Sequence, residues 1–150
     1  MSSDTKGKAS RDPLYRGDAA DRVGLPSPGA SPSIVRHVLY LEGLGRDTPY
    51  LSTSESLDAA SHFAGQSGRV WKTGATRLSA AMIKHWSRKD IAQLLQGKGK
   101  GRATWPSAFE VAQARRYVEE WREHLADFSE MTELGDDDLR ELVDSLFERY

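Results

Sequence analysis

Between Tyr50 and Gly65 the chain changes its period in mid-phrase, and no other stretch restricts the fold as much. Tyr50-Leu51 opens a strand that passes into the hydroxyl cluster Ser52-Thr53-Ser54. Ser54 is then placed to cap a helix over residues 55–65, with Glu55 and Asp58 in its first turn, where acids suit the helix dipole. Leu57, Ala60, Phe63 and Ala64 fall on one side of that helix, and Gly65 stops it.

Other elements flank this pair. Leu14-Tyr15-Arg16 reads as a short strand begun after Pro13 and stopped by Gly17-Asp18. Residues 17–33 hold three prolines, three glycines and three serines, an excursion rather than a regular element. A loop of that length inside a compact domain carries function or moves. Apolar spacing predicts a helix over 34–44, ended by Gly43 and Gly45, and alternation predicts a strand over Arg69–Thr73. Helices are expected over 77–86, over Arg88–Gln96 with Gly97 as stop, over Ser107–Phe128 behind Pro106, and over Asp136–Phe147. Gly97-Lys98-Gly99-Lys100-Gly101-Arg102 is a basic loop; no Lys-Ser/Thr pair closes it onto a helix, so it is not a P-loop.

The chain has 150 residues, and a single domain of that size buries roughly 70% of its unfolded surface. Residues 1–12 read as a disordered polar tail, 13–150 as one catalytic-like domain, and 134–150 as an acidic C-terminal helix. Cysteine is absent, which removes disulfides, thiolate metal sites and a cysteine nucleophile together. No signal peptide or membrane span is evident, so the expected location is the cytoplasm, or outside the cell by a signal-independent route. The net charge of −1 exerts no global pull on nucleic acid or membrane. It is uneven, however: residues 68–128 carry twelve Lys/Arg against six Asp/Glu, and residues 129–150 two against eight. The histidines at 37, 62, 85 and 124 show no metal-ligand spacing, and no metal is expected.

Leu14-Tyr15-Arg16-Gly17, followed by Tyr50-Leu51-Ser52-Thr53-Ser54 and then Ala60-Ser61-His62-Phe63-Ala64, resembles the ADP-ribosyltransferase superfamily in its arginine–serine–glutamate form. The likeness covers residues 13–73. It implies an α+β fold, a small split β-sheet core with several helices and a helical C-terminal part. It also implies NAD as substrate, bound by Tyr15, Arg16, Gly17, Ser52, Thr53, Ser54 and Phe63, with Arg16, Ser52 and a glutamate catalytic. Such a residue set suits the chemistry. A guanidinium offers a planar fork that never deprotonates and grips a pyrophosphate. Hydroxyls at the strand end brace the ribose, and a carboxylate counters the positive charge that develops there.

Glu110 takes the glutamate role in this reading, with Glu119 and Glu120 behind it; as a helix first-turn acid it equally just suits the dipole. No Glu or Gln stands two residues before Glu110, where the family often has one; Ala108 does. The implied function is mono-ADP-ribosyl transfer by a bacterial toxin or effector. The acceptor stays open among protein, nucleic acid and small molecule, with room for an inhibitor or immunity protein. Two alternatives stand beside it: hydrolysis of NAD, and a non-catalytic α-rich interaction module, since six expected helices outnumber the three or four strands.

Overall fold

The computed structural model describes residues 13–41, 43 and 47–150. The reading of 1–12 as a tail lies outside the described residues, as do positions 42, 44 and 45; the helix expected over 34–44 already ends at Val38, with Leu39 as its C-cap and Tyr40 turned out of it at φ 54°. In chain order the elements are β1 (Pro13–Asp18), α1 (Ile34–Val38), β2 (Tyr50–Ser54), α2 (Leu57–Ala64), β3 (Arg69–Gly74), α3 (Ala75–Ala80), β4 (Lys84–Trp86), α4 (Arg88–Leu94), α5 (Ala108–Glu120), β5 (Glu123–Asp127), α6 (Asp136–Leu146) and β6 (Glu148–Arg149). The fold is α+β: a six-stranded antiparallel sheet with helices packed on it.

Strand order is β4-β5-β2-β1-β3-β6. Within each half the pairing is long: β1 and β3 run in register from Pro13↔Gly74 to Asp18↔Arg69, and β2 and β5 from Tyr50↔Asp127 to Ser54↔Glu123. The two halves meet at β1 and β2 through a single residue pair, Tyr15↔Ser54. The sheet therefore parts at its centre, and backbone groups that a full ladder would consume are left to side chains. Arg16 takes one of them, donating from Nη1 to the Ser52 carbonyl at 2.9 Å.

Each face of the sheet carries its own core. Leu14, Leu51, Trp71 and Ala126 pack beneath Leu78 of α3 and Leu139, Val143 and Leu146 of α6. The stripe on the acidic C-terminal helix is thus buried within the same domain. On the opposite face Tyr50 and Leu125 pack against Ile34, Val35 and Val38 of α1, Ile91 of α4, and Val111, Ala114 and Val118 of α5. Alternation along β2 and β5 explains the division, because successive side chains point to opposite faces.

Several boundaries differ from those the sequence predicts. Ser56, not Ser54, caps α2, accepting from the Ala59 N–H at 3.2 Å. The stretch 77–86 divides into α3 and β4, with Met82 at φ 62° in the turn between them. The largest difference is the helix expected over 107–128. It stops at Glu120, because Arg122 adopts φ 48°, and the chain re-enters the sheet as β5. A left-handed residue just past a helix end is a common stop, usually glycine, which is why arginine gave no signal.

Candidate active site

The parting of β1 from β2 opens a cavity of about 460 Å³, within the roughly 300–1,000 Å³ typical of small-molecule sites. Arg16, Gly17, Ser52 and Ser54 line it from the strands, Phe63 from α2, and Glu123 from the start of β5. Leu25, Tyr40 and Phe63 are large apolar side chains left 37–41% exposed, and all three lie on its wall. Apolar area held open at a concave surface marks a binding site rather than a packing defect.

Arg16 lies across the gap. Besides its bond to Ser52, its Nε and Nη2 face Asp18 Oδ2 at 3.2 and 3.1 Å. Asp18 also accepts the Gly24 N–H at 2.9 Å, so it fixes the fork against the long loop over residues 19–33. That loop is tied to the entry of β2 by Ser27 N–H donating to the Thr48 carbonyl at 2.8 Å. A cation held this way is mostly buried, with 17% of its side chain exposed, yet it borders the cavity.

Glu123 brings a strand-borne carboxylate to the cavity wall, which Asp18 and Asp47 also line. Its register partner is Ser54, and its diagonal neighbour Ser52 donates from Oγ to Oε2 at 2.6 Å. Short O–H···O⁻ bonds of this kind are among the stronger hydrogen bonds. His37, buried on α1, brings Nε2 to the same Ser52 Oγ at 2.7 Å and lies 3.9 Å from Glu123 Oε2. Serine here stands between histidine and glutamate, whereas a nucleophilic triad needs the histidine in the middle. Ser52 is consequently built to orient the carboxylate, not to attack.

The other residues expected at the site divide into two groups. Tyr15, Gly17, Thr53, Ser54 and Phe63 border the cavity. Two of the hydroxyls are already engaged: Thr53 Oγ1 donates to the His124 carbonyl at 3.2 Å and Ser54 Oγ to the Trp121 carbonyl at 2.6 Å. Ser54 Oγ also accepts the Ser56 N–H, so it latches the start of α2 to the end of α5. Glu110 is not on the cavity wall. It sits in the first turn of α5 and accepts from Trp105 Nε1 at 3.0 Å, the structural role open to a first-turn acid. Glu119 and Glu120, at the end of α5, do not line the cavity either.

Trp121, which sequence spacing assigned to a helix face, borders the cavity two residues ahead of Glu123. Its ring stacks on His62 (5.1 Å, 18°) and meets Phe63 edge-on (5.1 Å, 62°), so an aromatic wall faces the carboxylate end. Tyr40 and Arg122, two non-glycine residues held at positive φ (54° and 48°), bracket the site, one on its wall and one against Glu123.

On the reverse face of β5, His124 Nε2 lies 2.6 Å from Glu55 Oε2, and His124 Nδ1 lies 2.9 Å from His85 Nε2. Burial, helped by the Arg88 charge, lowers the His124 pKa below its ordinary 6.5 despite the opposing Glu55 carboxylate. Below the same half of the sheet, Asp127 accepts from Trp86 Nε1 at 2.8 Å and pairs with Arg102. Burial alone would raise the Asp127 carboxyl; the bonds from Trp86 and Ser129 and the Arg102 charge together hold it below the ordinary aspartate value. These two networks brace β5 from either side of Glu123. Among the described residues no cluster of His, Asp and Glu is arranged to hold a metal ion, and no helix is long and apolar enough to cross a membrane. Comparison with protein-family models, curated proteins and solved structures finds no match to this chain.

Proposed function

We propose that this chain is an NAD-dependent mono-ADP-ribosyltransferase whose catalytic glutamate is Glu123. The observation that carries the reading is one cluster: Arg16 Nη1 on the Ser52 carbonyl at 2.9 Å, and Ser52 Oγ on Glu123 Oε2 at 2.6 Å, all bordering one cavity. The arginine and serine that the sequence motifs single out share a cleft with a strand-borne carboxylate. The central parting of the sheet agrees with the split core that the resemblance implies.

In this reading Arg16 grips the NAD pyrophosphate, and the aromatic wall of Phe63 and Trp121 holds the nicotinamide end. The bond from ribose C1′ to the pyridinium nitrogen breaks, and its electron pair leaves with nicotinamide. Glu123 opposes the positive charge that builds on the ribose, and a nucleophile of the acceptor then bonds C1′ and loses its proton. Electrostatic groups of this kind contribute about 10²–10³ in kcat. Trp121 occupies the place two before the glutamate, so an aromatic ring, not a carboxylate or amide, stands there on the cavity wall.

The test is nicotinamide release from NAD by purified wild-type, Glu123→Gln and Glu110→Gln proteins. Glutamine keeps the shape and still accepts from Ser52, so Glu123→Gln is expected to stay folded and lose about 10²–10³ in kcat. Glu110→Gln is expected to retain wild-type turnover. Equal activity in wild type and Glu123→Gln would remove the assignment. Release into water alone, without labelling of any acceptor, would place the chain with NAD hydrolases.

A further inference from the structure

We propose that His37 is a positioning residue of this site, the penultimate donor in a one-way hydrogen-bond relay that ends on Glu123. The proposal rests on the functional reading above for its catalytic consequence, but its hydrogen-bond part stands on geometry alone.

Both ring nitrogens of His37 are engaged, Nδ1 with Thr48 Oγ1 and Nε2 with Ser52 Oγ, each at 2.7 Å. The ring is 4% exposed and Tyr50 meets it edge-on, with centroids 5.4 Å apart. Proton counting places a hydrogen on Nε2. A carboxylate only accepts, so the single Ser52 hydroxyl hydrogen is committed to Glu123 Oε2 at 2.6 Å. Ser52 Oγ must then accept from the histidine, which places the ring hydrogen on Nε2. An Nδ1–H ring would present a lone pair to Ser52, and Ser52 has no second hydrogen to give.

In the neutral ring of this relay, with the hydrogen on Nε2, Nδ1 accepts from the Thr48 hydroxyl, and Thr48 Oγ1 in turn accepts the Tyr50 N–H at 3.3 Å. Every donor points the same way: Tyr50 to Thr48, to His37, to Ser52, to Glu123. Bonds aligned head to tail polarise one another, by about 10–30% each. The effect is to lock the Ser52 rotor, which would otherwise turn toward solvent, and so to hold the carboxylate in one orientation. Thr48 also belongs to the cavity wall, and its carbonyl receives Ser27 from the opposite loop, so the relay starts where the loops close over the site.

Two measurements test this. Long-range imidazole ¹⁵N spectra of histidine-labelled protein are expected to show His37 as the neutral Nε2–H tautomer, with its Nε2 resonance displaced in Ser52→Ala and in Glu123→Gln. An Nδ1–H ring, an imidazolium, or a signal indifferent to both substitutions overturns the relay. In kinetics, His37→Ala is expected to lower kcat for NAD cleavage about tenfold or more while KM stays within about threefold. His37→Gln, whose amide N–H reaches toward Ser52, is expected to recover most of that loss. Should His37→Ala fail to fold, Thr48→Val removes the upstream donor without touching Ser52, and is expected to lower kcat about threefold. Unchanged kcat in His37→Ala or, in its stead, Thr48→Val overturns the proposal. A wild-type protein that releases no nicotinamide refutes the NAD reading instead, and the spectra then decide the relay by themselves.

Discussion

Replacing Gly17 by alanine measures how closely α2 is seated on β1, and hence what the small residues of the Ala60–Ala64 face are for. A methyl built on Gly17 would lie 1.8 Å from the Ala60 carbonyl oxygen, 2.7 Å from Ala64 N and 2.8 Å from Ala60 C. All three are main-chain atoms of α2, so no rotamer change relieves the clash. An ordinary carbon–oxygen approach is about 3.3 Å, so helix and strand would have to separate by roughly 1.5 Å, the difference between 3.3 and 1.8. Overpacking of this kind costs about 1–3 kcal/mol, and for a domain of this size each kcal/mol lowers Tm by about 2–4 °C. The expected result is a Tm about 2–12 °C lower in a thermal melt, accompanied by weaker NAD turnover, because α2 carries Phe63 on the cavity wall. Gly29→Ala is the control: nothing lies within 4 Å of the added methyl, and its change should stay within about 0.5 kcal/mol. Ala60→Gly should not rescue Gly17→Ala, since the obstacle is a carbonyl and not a side chain. Equal melting of Gly17→Ala and Gly29→Ala would refute the claim that glycine is needed for close approach.

Other consequences can be checked as directly. Arg16→Lys keeps a charge but loses the planar fork that spans Ser52 and Asp18, so KM for NAD should rise about tenfold with folding largely intact, as read by steady-state kinetics. Asp127→Asn leaves Arg102 without its buried anion and should cost about 2 kcal/mol or more in urea unfolding. The Asp127 carboxyl lies below its ordinary 3.8, so its contribution is complete above that pH and is lost as pH falls from there toward the folded value. His124 has its pKa lowered from 6.5, so on acidification the unfolded chain takes up a proton before the folded one does. Stability should therefore start to fall below about pH 6.5, and His124→Gln should flatten that limb of the stability profile.

How much of this was legible in the chain divides by whether the cause is local. The β1 strand with Arg16, the β2 strand with its hydroxyls and the α2 face with Phe63 are each announced by near neighbours: Pro13 before, Gly17 after, an acidic first turn, a terminal glycine. Glu123 is not announced, and the reason is physical. Val118, Trp121, Leu125 and Phe128 continue a helical spacing straight through the end of α5, and the residue that breaks the helix is Arg122 rather than a glycine. The strand that follows is buried at all five positions, although three of them are Glu123, His124 and Asp127. Polar groups are buried only when partners meet them, and apart from the Ser129 N–H on Asp127 the partners named here come from distant elements: Ser52 for Glu123, Glu55 and His85 for His124, Trp86 and Arg102 for Asp127. Local periodicity weighs such residues as solvent-facing and so spends the strand on a helix. The same long-range bonds that hide β5 from sequence reading are the ones that hold its carboxylate in place. A strand whose polar side chains all require remote partners is where a chain like this one has reason to keep its chemistry.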